Sequence, residues 1–133
     1  NIFDIAGRAM AAQMVRLNTI SSNLANAGAT TGDPETVYKP LKPEFKTQYS
    51  ENVKKNGIST VNVSKVVELQ KEPFKIFDPN HPLADGDGYI YKAPINVEEE
   101  MVDMMDASRQ YQNNIEVVTT LKALTLKTIN LGK

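Results

Sequence analysis

The sequence predicts an α+β fold, in which long N- and C-terminal helices pair as an antiparallel, coiled-coil-like hairpin around a small β-rich middle module. Three observations predict it. Apolar or small residues recur at alternating steps of three and four near the N-terminus. All seven Pro and most of the Gly fall in the middle. No Gly or Pro interrupts the stretch between Ile95 and Gly132. The 133 residues are 41% hydrophobic and 23% charged, the balance of one ordinary globular domain. The boundaries read as residues 1–27 for the N-terminal helix, 28–95 for the loop and β-rich module, and 96–133 for the C-terminal helix.

In the first zone the stripe is Phe3, Ala6, Met10, Leu17, Ile20, Leu24 and Ala27, with Gln13 as its one polar break. Asn1 is placed to cap the helix, Asp4 sits in the first turn, and Asp4–Arg8 is an i,i+4 pair. Gly28 is placed as the left-handed residue just past the end. Such a helix is about 39 Å long.

The middle opens with a loop, Gly28 to Glu35. Short β-like runs follow at Val37–Lys39, Glu44–Tyr49, Ile58–Glu68, Phe74–Phe77 and Tyr89–Tyr91. Alternation in the third puts Val61 and Val63 on one face, with Lys65 or Val67 beside them. Lys54-Lys55-Asn56-Gly57 reads as an exposed hairpin tip.

Asn96 followed by Glu99 resembles a capping box, and Glu98, Glu99 and Glu100 suit the positive end of a helix dipole. One helix of about 36 residues, roughly 54 Å, follows. At 100° per residue it has two apolar faces. Met101, Met104, Met105, Ser108, Tyr111, Ile115, Val118, Leu126 and Ile129 share one broad sector, and Val117, Leu121, Leu124 and Leu131 lie nearly opposite. A helix apolar almost all round is buried on every side, and a small β module cannot surround one this long. Other chains are the economical cover. The five Met residues read equally as flexible core filler or as adaptable contacts.

Chemistry finds no foothold. The absence of Cys excludes disulfides, thiol nucleophiles and Cys-type metal sites. His81, the one histidine, sits in the turn Asn80-His81-Pro82. Asp85-Gly86-Asp87-Gly88 fails as a calcium loop, because position twelve is Asn96, and reads as a tight turn. Neither a catalytic residue, a metal site nor a cofactor site is expected. A net charge of −1 leaves no surplus of Lys and Arg for a nucleic-acid face. The longest apolar runs fall far short of the roughly 20 residues that span a bilayer. No basic n-region precedes the charges at Asp4 and Arg8, so no secretory signal is readable here.

Ser21-Ser22-Asn23-Leu24-Ala25-Asn26-Ala27 resembles the signature of bacterial flagellar rod and hook proteins. Asn1 to Gly7, Asn80 to Asp85 with Gly88-Tyr89, and Ala107 to Val117 running on to Leu126-Lys127-Thr128 and Leu131-Gly132 look like the proximal rod members. The likeness is looser between Asp33 and Phe77, and the family pattern carries a few residues before Asn1. The resemblance implies a non-enzymatic axial protein of the flagellar basal body, exported through the type III apparatus and spanning the periplasm. Its terminal helices would form an inner tube in a helical stack. Its partners would be other copies of itself, other proximal and distal rod proteins and the adaptor to the basal-body ring.

On that reading the expected subunit-interface residues are Leu17, Asn23, Leu24, Asn26, Tyr111, Ile115, Leu121, Leu124 and Leu131. Asn23 and Asn26 are expected to satisfy backbone groups where the chain leaves the helix. Intrachain core is the competing reading of each Leu. The rival function is a generic secreted coiled-coil filament, needle or tip subunit. A membrane-surface binder is disfavoured, since the C-terminal zone holds six acids against four bases.

Overall fold

The computed structural model of the chain describes residues 1–48 and 60–132. Helix α1 spans Ile2–Asn26, and the Asn1 side chain caps it by accepting the Phe3 N–H at 2.8 Å. The helix does not end on a left-handed glycine. Ala27 is right-handed, its N–H bonded to the Leu24 carbonyl, and Ala29 N–H reaches the Asn26 carbonyl. These two tight turns carry the chain out of the helix without any reversal at Gly28.

The expected loop at 28–35 contains strand β1 (Thr30–Thr31) and a 3-10 turn at Pro34–Thr36, capped by Asp33. Strands β2 (Leu41–Gln48) and β3 (Thr60–Glu68) form an antiparallel ribbon. A register shift between Glu44 and Phe45 interrupts the alternation expected through Val61, Val63 and Lys65. The side chains from Thr60 to Ser64 and the expected tip at Lys54–Gly57 lie outside the described residues. Strands β4 (Phe74–Phe77) and β5 (Tyr89–Lys92) join β1 in a second antiparallel sheet of order β1-β5-β4. Val37–Lys39 is not a strand. Val37 packs with Ala93 and Ile95, while the Tyr38 hydroxyl is drawn to α1, so the segment crosses between layers and pairs with no described strand.

Helix α2 covers Val97–Leu131, with the Asn96 side chain accepting the Glu99 N–H at 3.1 Å. Asn23 meets Glu100 and Arg16 meets Asp103 and Asp106, so α2 runs back along α1 as the expected antiparallel pair. The β2–β3 ribbon packs against α1. The core is thin. Its buried apolar residues are Ala6, Ala12, Ile20, Val37, Ile90, Ala93, Ile95 and Ala107, and no large side chain is fully enclosed among the described residues. A core that small leaves little margin of stability to a lone chain.

Candidate subunit interface

The seam of α2 is legible in its burial. Glu100, Met104, Ala107, Tyr111, Asn114, Val118 and Leu121 are buried or half-buried, and their steps alternate between four and three. After Leu121 every described residue of the helix is exposed. On α1 the buried set is Ala6, Ala12, Thr19, Ile20 and Asn23. This differs from the stripe read in the sequence. Ala6 and Ile20 are common to both, but Phe3 stays exposed and Met10, Leu17 and Leu24 are only half-buried. Small side chains let two helices approach closely, so Ala12 and Thr19 take the covered face and the larger residues are turned to the flanks.

At the end of this seam, Asn23 ties three elements together. It is 2% exposed. Its Oδ1 accepts the Leu41 N–H at 2.8 Å and the Tyr38 hydroxyl at 2.9 Å; its Nδ2 donates to the Leu41 carbonyl at 2.9 Å and to Glu100 Oε2 at 3.4 Å. The backbone it satisfies is therefore 18 residues away and not the local exit of α1. Asn26 does act locally, donating to the Ser22 carbonyl at 2.8 Å. Burial pushes the Glu100 carboxyl above the ordinary glutamate value, with the charges of Asp103 and Glu99 adding to the rise; the Asn23 hydrogen bond and Lys71 oppose it. Arg16 bridges Asp106 at 3.0 Å and Asp103 at 3.8 Å, a half-exposed pair that fixes register more than it adds stability.

Two exposed apolar flanks border the α2 seam. Val97, Met101, Met105, Ile115 and Leu126 lie on one side, and Val102, Val117, Leu124 and Leu131 on the other. The broad sector expected from the sequence is thus divided, because Met104, Tyr111 and Val118 belong to the seam. Between the flanks, opposite the seam, lie Glu98, Arg109, Glu116 and Lys127. Thr119, Thr125 and Thr128 turn their hydroxyls back onto the carbonyls of Ile115, Leu121 and Leu124, which leaves their methyl groups to the surface. The tail is consequently more apolar than its composition suggests. Leu124 is 56% exposed, Leu126 62%, Ile129 55% and Leu131 87%.

The nine expected interface residues fall into three groups. Asn23 is enclosed within the chain. Leu17, Leu24, Asn26, Tyr111 and Leu121 are half-buried beside the helix pair. Ile115, Leu124 and Leu131 are exposed. Reading the sequence missed the exposed run Phe74, Ile76 and Phe77 on β4. Its signal was the cluster of Phe74, Ile76 and Phe77 within four residues, between Pro73 and Pro79. The Asp85 loop is a turn, as expected: its carboxylate accepts the N–H groups of Asp87 and Tyr89 and the Tyr91 hydroxyl. The Tyr89 N–H is the leading cause that holds the Asp85 carboxyl below the ordinary aspartate value. His81 Nδ1 accepts the Leu83 N–H inside its own turn.

Paired terminal helices around a slight β middle, with apolar flanks exposed along α2, are the marks of a structural subunit. Family models carry that class further. The one described as flagella basal body rod protein matches residues 3–32, and flagellar basal body rod FlgEFG protein C-terminal matches residues 87–131. Flagellar basal-body rod protein FlgC of Salmonella typhimurium is 44% identical over all of this chain and 97% of its own length. FlgC of Escherichia coli O157:H7 is 42% identical and that of Yersinia enterocolitica 40%, over the same shares. The chain belongs to the FlgC family of flagellar basal-body rod proteins. It is a structural subunit of the basal-body rod, and the family is not enzymatic.

Proposed function

We propose that this rod subunit assembles helically through the exposed flanks of α2 and the adjoining large residues of α1, Leu17 and Leu24. In that arrangement its terminal helices build part of the drive shaft and of the channel through which later subunits are exported across the periplasm. Its neighbours are further copies of itself, other proximal and distal rod proteins and the ring adaptor. One observation carries the reading: the last turns of α2 expose Leu124, Leu126, Ile129 and Leu131, which no other described residue covers. Contiguous apolar surface of this kind marks an interaction site. Helix termini without tertiary cover are marginal in water, so the tail orders on assembly.

Circular dichroism against concentration, with light scattering, tests this. The dilute monomer is expected to show fewer helical residues than the 25 of α1 and 35 of α2, with the signal rising as oligomers form. A dilute monomer whose last turns are already rigid and fully helical, with no growth of particle size at high concentration, overturns it.

A further inference from the structure

The β4 strand has one edge bonded to β5, and no described strand pairs with the other. Asp78 N–H bonds the Gly88 carbonyl at 2.9 Å, just beyond the paired residues Phe77 and Tyr89. Antiparallel ladders alternate, so Phe74 and Ile76 direct their main-chain groups to β5, and the N–H and C=O of Lys75 and Phe77 face outward. Phe74, Ile76 and Phe77 are all exposed, as is Leu83 in the adjoining loop. The one charge on the strand, Lys75, lies over the Tyr89 ring at 4.2 Å from its centre and does not guard the edge.

The other described edges are guarded. In the ribbon, β2 carries Pro43, two lysines and a register shift, and β3 carries Lys65, paired with Glu44 at 3.6 Å, and Glu68. Those are the devices that prevent strand addition. The β1 strand is two threonines long. Among the described strands, only β4 combines outward main-chain groups with apolar side chains and has no proline within it.

We propose that the open edge of β4 receives an extended segment of a second copy of this chain as an added strand. The area argues for that occupant. A four-residue edge with its few side chains falls well short of the roughly 1,200 Å² that a stable complex needs. It cannot hold a partner arriving by diffusion alone. It can register a molecule already held on the α2 flanks, and a second copy is held there in the assembly described above, on which this inference rests. Proline at 73 and 79 limits the added strand to the length of β4.

Residue-resolved hydrogen exchange on the full-length chain, dilute and self-assembled, tests the proposal. The amides of Lys75 and Phe77 should exchange freely in the dilute chain and slow at least tenfold in the homo-oligomer. Equal exchange in both states overturns it. Slowing that appears only when a different rod protein is added overturns the second-copy occupant. Phe74→Lys should weaken self-assembly with an unchanged far-UV spectrum, beside Leu124→Asp, which should abolish it. If Leu124→Asp blocks assembly while Phe74→Lys and the two amides respond to nothing, the strand-addition proposal alone fails. If neither variant alters assembly, the helix-flank reading beneath it fails.

Discussion

Asn23 holds Leu41 by both its N–H and its C=O, at 2.8 and 2.9 Å, giving one backbone residue the two hydrogen bonds that a neighbouring strand would supply. A single side chain thereby fixes where the β2–β3 ribbon leaves the helix pair. The same carboxamide reaches Glu100, so the start of α2 is held at the same point.

Asn23→Ala removes that grip and leaves the half-buried N–H and C=O of Leu41 without these partners, while the Tyr38 hydroxyl keeps its bond to Ser22. A loss of about 3 kcal/mol is expected, since each orphaned buried polar group costs about 1–3 kcal/mol. Urea unfolding of the dilute chain measures it. An unchanged midpoint would show that the ribbon is placed by other contacts.

Glu100 makes the junction pH-dependent. Its folded value lies above the unfolded 4.5, so the native state binds this proton more readily. The stability it contributes is complete below the unfolded value and is lost as pH rises through the higher folded one. Glu100→Gln keeps an acceptor for Asn23 and removes the charge. The variant should therefore unfold at a higher midpoint than the parent at pH 7, with the gap closing near pH 4. A gap that does not change with pH would argue against a buried charge.

Leu121 and Leu124 separate folding from assembly. Leu121 is half-buried at the last covered position of the seam, and Leu124 is exposed. Leu121→Asp should lower thermal stability of the dilute chain, whereas Leu124→Asp should leave it within about 0.5 kcal/mol and abolish oligomers. Matched thermal melts and light scattering distinguish the two. Equal destabilisation by both would place Leu124 in intrachain core.

Two glycines differ in what they tolerate. A Cβ on Gly32 would run into the Leu83 carbonyl oxygen, a backbone atom that cannot step aside, whereas Gly28 has nothing within 4 Å. Gly32→Ala should cost about 1–3 kcal/mol. Gly28→Ala should be neutral or stabilise by up to about 1 kcal/mol through the unfolded chain. Chemical denaturation of the pair checks both signs.

The helices were legible because their signals are local. Asn1 and Asn96 cap them, and nothing breaks the long run after Ile95. The β4 strand was legible from the β-favouring Phe74, Ile76 and Phe77. Long-range effects were not. The face of α1 that meets α2 is chosen by how closely two backbones approach, which favours Ala12 and Thr19 over the greasier Phe3 and Leu24. Residues 37–39 have β composition but no described strand to pair with, and Tyr38 answers to α1 instead. Asn23 and Asn26 look alike in sequence. Only the fold sends one to Leu41 and leaves the other on its own helix.

Beyond Leu121 every described residue of α2 is exposed, so about three turns of the helix overhang the seam with only their own backbone bonds to hold them. Such an overhang frays first on warming, and a protease should nick it well before it cuts the paired turns.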